Sequence, residues 1–115
     1  MENLGKHVIA ELYHCDFSDI NSSSLRNILA TAAEKANATL LSVHTHSFPV
    51  PGQPDGLTGV AILAESHISV HTWTEYCYAA VDVFTCGDAD PEKAVEYINK
   101  VFDATPKVRI LNRPY

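Results

Sequence analysis

The sequence predicts an α+β fold: a two-layer sandwich in which a mainly antiparallel sheet carries two helices on one face. Three observations predict it. Six stretches have the β-compatible composition or period-two alternation of strands, and two have apolar residues at three- and four-residue spacing. Their order, β-α-β-β-β-β-α-β, holds too few helices for parallel crossovers between all the strands. A length of 115 residues buries roughly two-thirds of the unfolded surface, enough for one core over residues 1–115 and no second domain.

Residues 6–13 form the first expected strand, bounded by Gly5 and Asp16. Over 24–37, Leu25, Ile28, Leu29, Ala32, Ala33 and Ala36 fall on one helical face. Asn21 to Ser24 supply candidate N-caps and Asn37 a stop. Residues 39–48 read as a strand with His44 and His46 on one alternating set. Three of the six prolines crowd into 49–56, which is a loop. Residues 58–64 are a short apolar run, and 67–73 and 78–85 alternate as strands do. Asp90 as N-cap and Pro91 at the first helical position open a second helix, lined by Ala94, Val95, Ile98, Val101 and Phe102. Pro106 is expected to break that helix, and 107–111 to form a final edge strand.

With 46% hydrophobic and 19% charged residues, the composition is that of a globular protein and excludes disordered or low-complexity classes. No apolar run approaches the ~18 residues of a membrane span. The first residues show no basic-then-apolar leader pattern, so a cytoplasmic protein is expected. A net charge of −6 without a basic cluster argues against a nucleic-acid partner. Cys15, Cys77 and Cys86 are an odd set, read as reduced thiols of which at least one is free for chemistry.

The chemistry concentrates between Thr58 and Gly87. Nine residues from Glu65 to Trp73 hold a carboxylate, hydroxyls, two imidazoles and an indole. In an extended chain His67, Ser69 and His71 share one face, while Ser66, Ile68, Val70 and Thr72 share the other. A Ser66–His71 pair therefore needs a bend near Ser66 or a contact between strands, and no G-x-S-x-G elbow supplies one.

The string Ala-Glu-Ser-His-Ile-Ser-Val-His-Thr-Trp at 64–73, followed by Tyr-Ala-Ala-Val-Asp-Val-Phe-Thr-Cys-Gly at 78–87, resembles the short prokaryotic S-adenosylmethionine decarboxylase proenzymes. Leu4-Gly5-Lys6-His7, Cys15-Asp16 and Leu57-Thr58-Gly59-Val60 match in order. The resemblance implies a self-processing enzyme. Ser66 attacks the preceding carbonyl, the bond Glu65–Ser66 is cut, and a β chain 1–65 and an α chain 66–115 result. The new amino terminus carries a pyruvoyl group, an electron sink for amine decarboxylation that replaces pyridoxal phosphate, and no metal is expected.

Further roles follow from the same resemblance. His71 matches the histidine that takes a proton during processing, a task suited to imidazoles, which titrate near neutrality. Cys86 matches the proton donor in decarboxylation; ordinary thiols are mostly protonated at pH 7. Thr58 stands where the family usually has a processing serine, keeping the hydroxyl on a stiffer side chain. Glu75 matches the carboxylate that holds the ribose hydroxyls, and Phe48 the ring that stacks on adenine. Thr74 replaces the usual proline, Cys77 the usual glycine, and the loop 51–55 is longer than the usual turn. These departures lie near the substrate region and keep ornithine or arginine open as alternative substrates.

Other readings stand beside this one. Without the motif, His71 is a strand-face histidine, Cys86 a small buried hydrophobe, and Trp73, Tyr76 and Tyr78 core or interface aromatics. A metal-binding module would use His44, His46, His67 and His71 with Cys77 and Cys86, although no compact finger spacing is present. A processed but inactive partner subunit is a third reading. A two-layer sandwich leaves one sheet face bare, so a homodimer is expected, and the resemblance implies active sites shared between the two copies. In 78–85 either Tyr78, Ala80, Asp82 and Phe84 or Ala79, Val81, Val83 and Thr85 face the helices.

Overall fold

The computed structural model describes residues 3–115. Its elements are β1 (Gly5–Tyr13), α1 (Ser22–Lys35), β2 (Leu40–Phe48), β3 (Gly56–Leu63), β4 (Ser66–Trp73), a 3₁₀ turn (Thr74–Tyr76), β5 (Tyr78–Cys86), α2 (Pro91–Phe102) and β6 (Thr105–Arg113). All six strands join one antiparallel sheet in the order β2-β3-β4-β5-β1-β6. Both helices pack on one face, which is the expected α+β sandwich. Among the described residues no helix is long and apolar enough to cross a membrane.

The helix termini follow local chemistry. Asn21 caps α1 by accepting from the Ser24 N–H at 2.9 Å, while the Ser24 hydroxyl accepts from the Asn21 N–H at 2.7 Å. This reciprocal pair starts the helix at Ser22, two residues before the start expected from the sequence. Asp90 caps α2 at the Glu92 N–H, with Pro91 in the first turn as expected. The end of α2 corrects the sequence reading. Asp103, not Pro106, stops the helix by taking a left-handed conformation, φ 50, with its N–H returned to Asn99 and Lys100 carbonyls. Pro106 lies inside β6, opposite Leu12, where an edge strand tolerates its missing N–H.

Period-two alternation decides what the core contains. Val8, Ala10 and Leu12 of β1, Ile68 and Val70 of β4, and Ala79, Val81 and Val83 of β5 are buried under the helices. The ambiguity in β5 is thereby resolved: Ala79, Val81, Val83 and Thr85 face the helices, and Tyr78, Ala80, Asp82 and Phe84 face away. α1 lies over β2 and β3, and α2 over β1 and β5. The two helices are tied at one corner by the Asp90 N–H donating to the Ala36 carbonyl at 2.8 Å.

Among the described residues, no element packs on the other sheet face. Five of the six histidines lie on it: His44 and His46 in β2, His67 and His71 in β4, and His7 in β1. Phe48, Ile62, Trp73 and Tyr13 are each 40–49% exposed there, an apolar content unusual for a free surface.

Gly59 sets how closely α1 approaches β3. A Cβ at this position would lie 2.8 Å from both Leu25 Cδ2 and Leu29 Cδ1, which are themselves fully buried. Gly59→Ala is expected to destabilise the fold by about 1–3 kcal/mol through overpacking, read as a lower denaturant midpoint at unchanged m-value.

Candidate active site

The scissile position proposed from the motif sits at the turn of the β3–β4 hairpin. Leu63 pairs with Ser66, leaving Ala64 and Glu65 as the two-residue connection. Ser66 takes φ 149, a region that residues with a side chain rarely adopt and that costs on the order of 1–3 kcal/mol. The Glu65 carboxylate accepts the Thr39 N–H at 2.8 Å, anchoring one side of the turn. The register His67↔Phe84 brings the start of β4 beside the end of β5, where Cys86 is exposed. Glu65, Ser66, Phe84, Cys86 and Arg113 line an open cleft of about 540 Å³. The backbone does bend at Ser66, but the Ser66–His71 pair for which the sequence reading asked does not form within the chain; Ser66 instead shares a cleft with Cys86.

A second group assembles at the opposite end of the same strands. Thr58 pairs with His71 across β3 and β4, and the Thr58 hydroxyl lies 3.1 Å from His71 Nδ1. This contact fixes the orientation of the imidazole ring. His46 pairs with Thr58 on the other side, and its ring lies 4.6 Å from that of Phe48. Glu75 is exposed in the 3₁₀ turn that follows Trp73. Thr74, which stands where the resemblance has proline, is buried, and its hydroxyl donates to the Pro54 carbonyl at 2.7 Å. The long loop and the Glu75 turn are therefore one connected unit.

These two groups do not meet within one chain. Ser66 and His71 are five residues apart along a straight strand, about 16 Å. The positive φ of Ser66 breaks the alternation expected from the sequence: Ser66 lines a cleft with Phe84, on the same bare sheet face as His71. Thr58, His71, His46 and Phe48 gather at one end, with Glu75 in the turn beyond Trp73; Glu65, Ser66 and Cys86 gather at the other.

An aromatic groove adjoins the Glu75 turn, lined by Glu11, Tyr13, Trp73, Tyr76 and Tyr78. Trp73 and Tyr78 rings lie 5.4 Å apart and Tyr13 is 5.7 Å from Tyr78. Tyr78 donates to Glu11 at 2.8 Å; burial first, and then this bond, push its phenol up to about 12. Glu11 and Tyr13 were not singled out from the sequence, because only the β1–β5 pairing brings them here. No motif marks them.

The histidines and cysteines do not gather as a metal module requires. Among the described residues, no three His, Cys, Asp or Glu side chains form a group that could hold a metal ion. His44 and His46 lie on β2 at the sheet edge, and Cys77 and Cys86 terminate opposite ends of β5.

Comparison with known proteins agrees with the motif. Residues 6–113 match the S-adenosylmethionine decarboxylase family. An S-adenosylmethionine decarboxylase proenzyme of Prochlorococcus marinus is 52% identical over 103 residues, covering 88% of this chain and 79% of the relative. One from Methanococcus aeolicus is 48% identical, covering 85% of this chain and 82% of the relative. The crystal structure of adenosylmethionine decarboxylase from Aquifex aeolicus superposes with a TM-score of 0.85 at 38% identity, over 100% of this chain and 94% of that one. A family match over nearly the whole chain, joined to the same fold, makes this chain a member of the S-adenosylmethionine decarboxylase family.

Proposed function

We propose that this chain is a proenzyme that cuts itself between Glu65 and Ser66 and then decarboxylates S-adenosylmethionine, yielding the aminopropyl donor for spermidine synthesis. The observation that carries the reading is the φ of 149 at Ser66, held in a tight hairpin turn beside the cleft that contains Cys86. Backbone strain at the bond to be broken raises the ground state of the amide relative to the ester that replaces it. The Ser66 Oγ attacks the Glu65 carbonyl carbon, the C–N bond breaks, and an ester with a free Ser66 amine forms. A base then removes the Ser66 Cα proton and the ester oxygen leaves as the Glu65 carboxylate. Loss of ammonia after hydration leaves a ketone at the new terminus.

The surroundings of Ser66 fit such a group: an open cleft for a substrate and an exposed thiol within it. The pyruvoyl ketone supplies an electron sink for loss of CO2 from an amino acid. Cys86 holds the proton that is returned to the substrate carbon. Glu75 accepts from ribose hydroxyls and Phe48 presents a ring face to adenine, roles that follow from the family resemblance and from their exposure.

His71 is the processing base, oriented by Thr58, and it acts across a dimer. The separation between the two clusters and the bare apolar sheet face support this arrangement. With two copies packed sheet to sheet about a two-fold axis, Ser66 and Cys86 of one meet His71 of the partner subunit. Each complete site then takes side chains from both chains.

Ser66→Ala is expected to leave a single uncut chain by intact mass, whereas Cys86→Ala cuts normally but loses turnover by several orders of magnitude. Cleavage lost in both variants would remove the proposed division of roles. Co-expressing Ser66→Ala with His71→Ala tests the shared site: the His71→Ala chain is cut because its partner supplies the imidazole. If that chain stays intact in the mixed dimer, the site lies within one chain. Release of CO2 is expected from S-adenosylmethionine and not from ornithine or arginine; the reverse would transfer the same chemistry to another substrate.

A further inference from the structure

Cys77 occupies a position that disfavours it. It closes the 3₁₀ turn carrying Glu75 and takes φ 50, a left-handed conformation that glycine adopts without strain. Its carbonyl accepts the Cys15 N–H at 2.8 Å. This bond sets the two residues side by side, the close approach a disulfide needs, since bridged cysteines have Cα atoms roughly 4.4–6.8 Å apart. Both thiols are free, Cys15 buried just after β1 and Cys77 exposed before β5. The Cys15 thiol donates to the Leu12 carbonyl at 3.3 Å, so it is held at this corner. Cys86 cannot take part, because it ends β5 nine residues further on, about 30 Å away along the strand.

We propose that Cys15 and Cys77 form a reversible disulfide by exchange with a small disulfide such as glutathione disulfide. Burial, then the neighbouring Cys77, pushes the Cys15 thiol up to about 11, which leaves the exposed Cys77 as the first nucleophile. The Cys77 thiolate bonds one glutathione sulfur and the other leaves as a thiolate. Cys15 then loses its proton and attacks Cys77 Sγ, expelling the second glutathione. Two protein thiols are oxidised, one glutathione disulfide is reduced to two glutathiones, and the two thiol protons pass to the departing sulfurs.

The consequence rests on the self-cleavage reading above. Cys15 lies in fragment 1–65 and Cys77 in fragment 66–115, so the bridge ties together two chains that otherwise associate without a covalent link. It also fastens the turn bearing Glu75 to the segment that follows β1.

The purified enzyme, incubated with glutathione disulfide, is run in denaturant without reductant. The two fragments are expected to migrate as one species that dithiothreitol separates, lighter by two hydrogens than their sum, with the link mapping to Cys15 and Cys77. Cys77→Gly, which also relieves the backbone, abolishes the link, and Cys86→Ala retains it. The uncut Ser66→Ala chain shows the same two-hydrogen loss by mass, so failure of self-cleavage is told apart from failure of the bridge. A persistent glutathione adduct on Cys77 with Cys15 still alkylated in denaturant overturns the proposal, as does a link that maps to Cys86.

Discussion

The pairing of Leu63 with Ser66 across the β3–β4 hairpin is the constraint on which the rest of the site depends. A two-residue connection fixes the register, and a register fixes the face on which every side chain of β4 stands. A slip of one residue would move Ile68 and Val70 out of the core and His67 and His71 into it. The same pairing sets Thr58 opposite His71 and confines the strain to Ser66. Core packing supports the same register, since only it buries Ile68 and Val70 fully, and with it the proposed catalytic geometry.

That register also explains why the functional residues are divided. β4 is an extended rod with a proposed functional residue toward each end, Ser66 at one and His71 near the other. A rod cannot fold back on itself, so proximity has to come from another strand or another copy. β5 brings Cys86 to the Ser66 end, and β3 brings Thr58 to the His71 end. The face bearing His71, Trp73, Phe48 and Ile62 is uncovered and partly apolar, and a second copy placed against it would both bury that surface and close the gap.

Among the described residues, five non-glycine residues have positive φ, His14, Asn37, Ser66, Cys77 and Asp103, and two of them lie beside the proposed site. Ser66 and Cys77 both have positive φ, at the start of β4 and just before β5. Each is over-determined by its surroundings: Ser66 by the hairpin ladder, Cys77 by its backbone bond to Cys15 and its own N–H donated to Thr74. Such positions persist because the flanking strands are rigid and buried under α1 and α2. The helices, far from the site, are what make the strain sustainable.

Much of this was legible in the sequence. Alternation in 67–73 and 78–85, the capping residues Asn21 and Asp90, and the apolar spacing of Leu25 through Ala36 determine the elements, because each depends on neighbours a few residues away. The motif around Ser66, His71 and Cys86 pointed to the family without any coordinates. Pro106 misled because a proline reads as a helix breaker, whereas Asp103 had already ended α2 through a left-handed turn that sequence marks weakly. Tertiary structure alone decided which face of β5 meets the helices, which residues join Glu11 and Tyr13 in the aromatic groove, and that Ser66 and His71 lie apart. Each of these is a pairing between distant segments, and register between strands depends on how a whole core packs rather than on any local pattern. The nearness of Cys15 and Cys77 belongs to the same class: 62 positions separate them in sequence, and one backbone hydrogen bond joins them in the fold.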